Sequence, residues 1–480
     1  MSTTVTYKGQ TLTTVENQTK TLQTAGTWVE DDFTLTDVTA SGGGDEWVRP
    51  ADFPDLSKMD ISGGDIIYMT YRADEQFGYC DFYLKCTGKY TVEVGDIVNG
   101  VFVSESTHEV NSNTNCRLYF GTTNGTYKVL KVTGTNITWY ENNTGGTLNN
   151  YGGHYLMARM QGQLEVYGNL PHCSHVDGRT VYQLQCFELQ NLVLTGSNSS
   201  MFEWCVGLRK VVADTWDMSG CTNLNFAFRY CRNLTKIVGI EDWDVSSATT
   251  LEAVFWGCER LETIDLSKWN VSSAERFTNM FNSCYLLKSL DLSGWDTSSA
   301  KYMGSMFLDC RELKVLKLPA QFVKSSVTDV YRMFGGCQKL EELDVSDWNV
   351  SSIENVHQLF STMSAVKEID ISSWDLSSVT TYTQMFAINQ GIKTITIPAS
   401  LSAMGASFFN QAECITEFHM LATTPPTLQN TNAFNSVSYM NGAGGRKIYV
   451  PYSADHSVLT AYQTATNWST YASYIVEEDE

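Results

Sequence analysis

Apolar positions recur along most of this chain in one fixed order. In Met280–Ala300, MFNSCYLLKSLDLSGWDTSSA, Phe281 and Cys284 lie three apart, Leu287-x-x-Leu290-x-Leu292 ends in alternation, and Trp295 stands among polar residues. Strict alternation buries one face of a strand, and a three-residue spacing buries one side of a short helical turn. The polar residues between them, Asp and Ser, offer side-chain oxygens to backbone N–H groups where the chain reverses. Each unit reads as strand, corner, short helix, corner.

The unit repeats in steps of 26 or 27 residues, as VFWGCERLETIDLSKWNVSSA (Val254–Ala274) and MFLDCRELKVLKLPAQFVKSS (Met306–Ser326) show. The Phe register runs Phe202, Phe228, Phe255, Phe281, Phe307, Phe334, Phe360, Phe386. The Trp register runs Trp216, Trp243, Trp269, Trp295, then Phe322, then Trp348 and Trp374. Cys186, Cys205, Cys231, Cys258, Cys284, Cys310 and Cys337 form a third, continued by Met363 and Asn389. Such a period marks a solenoid, because a single unit cannot bury its own apolar face and must stack on its neighbours. Strand slots start at Leu189-x-x-Leu192-x-Leu194 and continue at Val211, Ile237, Ile264, Leu290, Leu316, Leu343, Ile369, Ile395, Phe418 and Ile448. Ten steps of about 4.8 Å make a rod roughly 50 Å long.

The string MF-x-x-C…L-x-x-LDLS-x-W-D-x-SS resembles the BspA-like leucine-rich repeats of bacterial surface proteins. Ile392–Phe418 is similar to a 23-residue form of that repeat, and Ala422–Ile475, with TPPTL, KIYVP and NWSTYASYI, to its usual terminal cap. The resemblance covers Leu164 to the C-terminus. It implies a binding scaffold used in adhesion and brings no catalytic residues.

Upstream, Val5 and Tyr7 alternate before Lys8-Gly9, and Leu12, Val15, Leu22, Phe33, Leu35 and Val38 complete a small β unit. Its Thr-rich strands and TAG-x-x-x-EDD resemble a short module near the N-terminus of phage and prophage structural proteins. TASGGGD is a flexible linker. WVRPADFPDL, broken by Pro50 and Pro54, is an extended strap. IIYMTY, CDFYLKC, YTVEV, IVNGVFV, RLYFGTTNGTYKVLKV and NITWY read as strands, with Asn99-Gly100 and Asn124-Gly125 as hairpin turns. The expected class is therefore mixed α/β, with N-terminal all-β modules followed by a BspA-type leucine-rich repeat solenoid and a terminal cap. The expected divisions are an attachment module at 1–38, a linker at 39–45, a β-sandwich-like domain at 46–155, a junction and solenoid N-cap at 156–188, the solenoid at 189–421 and its C-terminal cap at 422–480.

Charge narrows the partners. A net charge of −21 over 480 residues argues against nucleic acid, which is bound through Lys and Arg, and against an anionic membrane surface. No apolar run approaches the ~18 residues of a membrane span. MSTTVTYKGQTLTTV lacks the basic start and apolar core of a signal peptide, so the expectation is synthesis in a host cytoplasm. The ladder cysteines are expected as buried free thiols, since Met363 takes the same slot.

Candidate chemistry is sparse. No nucleophile elbow, phosphate loop or zinc-protease motif is present, so no catalytic residue, cofactor or metal is assigned. His172-Cys173-Ser174-His175-Val176-Asp177 has three donors but no zinc-finger spacing, and reads as the polar face of the N-cap. Asp265, Asp291, Asp344 and Asp370 share an outward slot, with Lys317 in the middle. They form either a cation site or acidic contact stripe, or a structural row in which each Asp bonds a corner hydroxyl; the second is preferred.

The expected role is a non-enzymatic phage or prophage virion protein of tail- or head-fibre type. It would attach to other virion proteins through its N-terminal module and adhere to a host surface glycan or protein, with homo-oligomerisation open. The alternative is a bacterial cell-surface adhesin; a polysaccharide-active enzyme has only scattered carboxylates behind it. Ligand contacts are expected on the helical edge, where slots vary between turns: Arg229, Tyr230, Arg232, Trp256, Tyr285 and Arg311, a set rich in the aromatic and Arg side chains of binding hot spots. Trp256 is expected partly outward, either for a sugar or as rim packing.

Overall fold

The computed structural model describes residues 3–7, 10–14, 55–62, 65–72, 79–99, 101–111, 115–119, 127–139, 165–169, 184–434, 440 and 445–479. The chain divides into two units, Met1–Glu46 and Trp47–Glu480. In the first, strands Thr3–Tyr7 and Gln10–Thr14 pair antiparallel, with Tyr7 opposite Gln10. The remainder of that module, the linker, residues 47–54 of the strap, and the His172–Asp177 cluster lie outside the described residues; the strap's Leu56 is buried and opens the 3-10 turn Leu56–Lys58.

In the second unit one eight-stranded sheet joins what the sequence divides. Strands Asp65–Arg72, Tyr127–Gly134, Lys89–Val98 and Val101–Asn111 form an antiparallel half. Val98 pairs with Val101 across the hairpin expected at Asn99-Gly100, and Asn99 has φ 51°. Glu165–Asn169 then pairs antiparallel with Asp65–Arg72 on one side and parallel with Cys186–Gln190 on the other. The solenoid's parallel sheet therefore grows directly out of the antiparallel one. Tyr79–Lys85, Asn115–Tyr119 and Thr138–Trp139 make a separate three-stranded sheet.

The first rung is shifted from the sequence reading. Phe187 pairs with Val211, and Val211 with Ile237, so the slot before Val211 is Phe187 rather than Leu192. Cys186 is consequently a half-buried strand residue opposite Lys210, outside the thiol ladder. The Leu-x-x-Leu-x-Leu pattern there is shared by two elements, since Val193–Ser197 pairs in a second short ladder with Asp217–Asn223.

The segment carrying Phe and Cys is not helical, which removes the α half of the expected mixed class. N–H groups of Ala227, Arg229 and Cys231 donate three residues back, to Leu224, Phe226 and Phe228, at 3.2, 3.1 and 3.0 Å. Those of Phe226, Phe228 and Tyr230 donate instead to Glu252, Val254 and Trp256 of the next rung, at 2.9, 2.8 and 2.6 Å. Alternate N–H groups close successive β-turns while the others staple rung to rung. This geometry puts two residues per rung at positive φ, such as Phe226 at 60° and Tyr230 at 58°. The left-handed conformation costs a non-Gly residue about 1–2 kcal/mol, and a cross-rung hydrogen bond contributes a comparable amount. A helix would turn every N–H inward to its own rung and leave stacking to side chains alone. An α-helix, Ser457–Thr464, lies in the C-terminal cap. The fold is a β-solenoid of stacked coils.

Side chains repeat the same rung-to-rung logic. Phe202 through Phe386 are buried and stack at 5.4–6.1 Å, and Phe409 and Phe434 extend the column beyond the last slot read from sequence. Trp216, Trp243, Trp269, Trp295, Trp348 and Trp374 are buried, and the indole N–H of Trp269, Trp295 and Trp374 donates to Ile240, Leu266 and Val345 carbonyls at 2.8, 2.9 and 2.9 Å. Cys205, Cys231, Cys258, Cys284, Cys310 and Cys337 are fully buried. From Cys231 on they are free thiols, and each Sγ lies 3.0–3.3 Å from the carbonyl of a Phe in the preceding rung. The slot is thus apolar with one donor, which sequence reading missed. Asn389 fills it with Oδ1 accepting from Gly391 and Ile392, each at 3.2 Å.

Parallel pairing continues through Thr394–Ile397, Glu417–Met420 and Lys447–Val450, as expected for the 23-residue form and the cap, and adds a last strand, Ile475–Glu477. Trp468 anchors the cap by donating to Pro426 O at 2.7 Å. Glu477 is no free tail, because its carboxylate accepts from Ser453 N at 3.2 Å and contacts His456 Nδ1 at 2.5 Å.

Candidate functional site: the aromatic ridge on the turn edge

Outside the Phe column, the turn ribbon presents two more slots in each rung. In the first three rungs these hold Glu203 and Trp204, Arg229 and Tyr230, Trp256 and Gly257. All but Gly257 are half-buried. Trp204 and Tyr230 rings lie 4.1 Å apart, tilted by 36°, and Tyr230 and Trp256 lie 5.3 Å apart, tilted by 44°. Tyr230 reaches Trp256 by lying across Gly257, where a Cβ would fall 2.6 Å from the Tyr230 ring. Gly257 has φ 74°, so its backbone also disfavours any side chain.

Arg229 sits inside this staircase. Its Nη2 lies 2.8 Å from Glu203 Oε1, and its guanidinium is 4.8, 5.2 and 5.3 Å from the Phe226, Tyr230 and Trp256 ring centres. Its Nε is buried without a hydrogen-bond partner. Cation–π attraction to three rings stabilises this partly desolvated charge. One column over, Arg232, Glu259, Tyr285 and Arg311 follow at one residue per rung. Arg232 Nε is 3.5 Å from Glu259, and the Arg311 guanidinium lies 4.5 Å above Tyr285 while its Nε meets Asp309 at 3.2 Å.

The structure thus gathers Arg229, Tyr230 and Trp256 into one ridge, with Arg232 at its margin 5.9 Å from the Tyr230 ring. Tyr285 and Arg311 form a pair of their own farther along. Trp204, Glu203 and Phe226 belong to the ridge and were missed in the sequence. The signal was there: Trp204 stands two after Phe202, as Tyr230 stands two after Phe228. Trp256 packs on Tyr230 and remains partly exposed.

The acidic row resolves as a structural feature. Asp265, Asp291, Asp344 and Asp370 each accept from the N–H of the Ser two residues on, at 2.9–3.1 Å, and from its hydroxyl at 2.6–2.7 Å. The Ser293 hydroxyl, then the Lys317 ammonium at 2.9 Å, hold the Asp291 carboxyl down at about 2. Burial pushes the Cys231, Cys258, Cys284, Cys310 and Cys337 thiols well up, so these thiols are not nucleophiles in the folded chain. No group of three or more His, Cys, Asp or Glu side chains able to hold a metal occurs among the described residues. No helix among them is long and apolar enough to cross a membrane.

Repeated strands, corners and ladders at a 26-residue period define a leucine-rich-repeat solenoid. Residues 197–318 and 314–418 match the family described as "Mycoplasma protein of unknown function, DUF285", and this repeat region is of the BspA-like type. Among solved structures, a leucine-rich repeat protein from Bacteroides ovatus is 15% identical, covering 60% of this chain and 88% of that one, with a TM-score of 0.22. A leucine rich cell surface protein from Faecalibacterium prausnitzii is 15% identical, covering 58% and 81%, with a TM-score of 0.24. No curated protein matches the chain.

Proposed function

We propose that this chain is a non-enzymatic adhesion protein of a bacterial cell surface, binding a surface glycan through the ridge of Trp204, Tyr230 and Trp256. The BspA-like repeat supports a surface role. The single observation that carries the ligand site is the ridge itself, three aromatic side chains at half-exposed slots where the fold needs none. Later rungs fill the same slots with Asn282 and Ser283, or Gly335 and Gly336, and stack equally well. Aromatic rings beside a guanidinium suit a sugar, whose C–H face packs on the ring while its hydroxyls bond the cation.

Replacing Tyr230 and Trp256 together with Ala tests this. Binding to extracted surface glycan should fall at least tenfold with the melting temperature within a few degrees of the parent. Unchanged binding with a lowered melting temperature would reduce the ridge to packing.

A second reading, a phage or prophage virion protein with the same rod, is favoured by one observation: Met1–Glu46 forms a unit of its own, as an attachment module requires. Antibody to the solenoid separates the two. Labelling of intact cells supports the adhesin, and labelling of purified virions supports the fibre.

A further inference from the structure

The repeat is not uniform on its strand side. From the strand slot to the Trp slot the chain takes five residues in most rungs, as from Ile264 to Trp269 and from Leu290 to Trp295, but six from Ile237 to Trp243 and from Leu316 to Phe322. These two long rungs bracket two regular ones. In the first, the extra residue sits at Gly239, with φ 83°, where a Cβ would lie 2.3 Å from the Asp214 backbone; a 3-10 turn, Ile240–Asp242, follows. In both long rungs the Asp of the acidic row is replaced, by Val238 and by Lys317. At the strand slots, pairing stops at Lys236–Val238 and resumes at Ser289–Asp291, with the bridge Thr263↔Ser289 between.

An open hollow of about 760 Å³ lies on the strand face between the long rungs. Short side chains, Thr263 and Ser289, open it, and its floor is aliphatic: Ile237, Ile264 and Leu290. Ile264 is only half-buried, unlike the buried residues at most other strand slots. Charge is separated along the strand direction. Lys236, exposed and with no ion-pair partner among the described residues, stands at one end, and Glu241 and Asp265 stand at the other, where Lys317 is already paired with Asp291 at 2.9 Å and leaves the end net acidic.

We infer that this hollow is a second recognition site, for an extended peptide segment of a partner protein that lays an aliphatic side chain on Ile264 between an acidic residue at Lys236 and a basic residue near Glu241. A polypeptide fits better than a sugar because no aromatic ring lines the hollow and its floor is branched aliphatic, the surface that receives Leu, Ile or Val. Charges of opposite sign at the two ends fix the direction of the segment. The site is independent of the aromatic ridge.

Full-length chain on an array of random 12-residue peptides, with a glycan array in parallel, provides the test. Selected peptides should share an aliphatic residue flanked by one acidic and one basic residue. Ser289→Trp, which fills the hollow from an exposed position, should lower their capture at least tenfold without moving the melting temperature, and Thr263→Arg should do the same. Lys236→Glu should exchange the preferred acidic flank for a basic one. The inference is overturned if no such peptides are selected, if Ser289→Trp and Thr263→Arg leave capture unchanged, or if filling the hollow removes a glycan signal instead. A Lys236→Glu protein with unaltered flank preference also overturns it. Tyr230→Ala/Trp256→Ala protein should bind the peptides normally, so failure of the ridge and failure of the hollow are read apart.

Discussion

Phe228 and Tyr230 are two residues apart on one turn and use their rings in opposite ways. Phe228 is fully buried and stacks on Phe202 and Phe255 at 5.4 and 5.8 Å, nearly coplanar at 15° and 5°. Tyr230 is half-buried and meets Trp204 and Trp256 at 4.1 and 5.3 Å, tilted by 36° and 44°. The inner column runs without interruption to Phe434, whereas the outer one ends after three rungs. A column present in every rung is required by stacking. One present in three is supernumerary to the fold, which is why a ligand is sought there.

If that division holds, substitutions should separate by column. Phe281→Ala, with neighbours Phe255 and Phe307 at 5.6 and 5.8 Å, should destabilise by about 3–5 kcal/mol, measured by chemical denaturation. A loss under 1 kcal/mol would mean the column is dispensable and the comparison empty. Cys284→Ala should follow at about 1–2 kcal/mol, from the lost sulfur volume and its contact with Phe255 O at 3.2 Å. A bulky thiol reagent should leave Cys258 and Cys284 unmodified until the chain unfolds; rapid labelling of native protein would place them elsewhere.

Acid should act next and more mildly. The Ser293 hydroxyl, then Lys317, hold Asp291 near 2 against an ordinary 3.8, and Ser hydroxyls likewise lower Asp217, Asp244, Asp265 and Asp344. Carboxyls depressed in the folded state stabilise it at every pH above 3.8 and lose that contribution as pH falls through about 2. The melting temperature should therefore drop between pH 4 and 2, after a smaller fall below about pH 6.5, where burial and then Arg332 hold the His357 imidazole below its ordinary value. Each carboxylate is exposed and solvent-screened, so the drop is a sum of small parts. Smallest of all should be the stability effect of Gly257→Ala, since the Tyr230 ring can swing away into solvent while only the positive φ is penalised, by about 1 kcal/mol. Displacement of Tyr230 should weaken glycan binding more than it weakens the fold.

The inner columns were legible because burial forces the same residue type into the same slot at each step of 26 or 27. Phe281, Cys284, Leu290 and Trp295 announce their neighbours. The turn geometry was not legible. Positive φ falls on Ala253, Arg332 and Ile388, residues that carry no turn signature, because the cross-rung hydrogen bond and not the side chain selects that conformation. The growth of the parallel sheet out of the antiparallel one was hidden as well, since Glu165–Asn169 looks the same whether its neighbour runs parallel or antiparallel. Of the ridge, Arg229, Tyr230 and Trp256 stood among the candidate contacts named from the sequence. Trp204 escaped although it stands two after Phe202, as Tyr230 stands two after Phe228. The hollow was announced only by two steps of 27 among steps of 26.

Rung-to-rung hydrogen bonds point along the stacking axis, and this has a mechanical meaning. Tension along that axis loads them end-on, one rung at a time, and does not shear a whole sheet at once. Each rung that lets go releases 26 residues, roughly 90 Å of extended chain, from a layer about 4.8 Å thick. A tether built this way lengthens in small yielding steps under a pull and re-coils from the remaining stack when the pull stops, so an attached particle is held through a gust of flow that would snap a stiff link of equal strength.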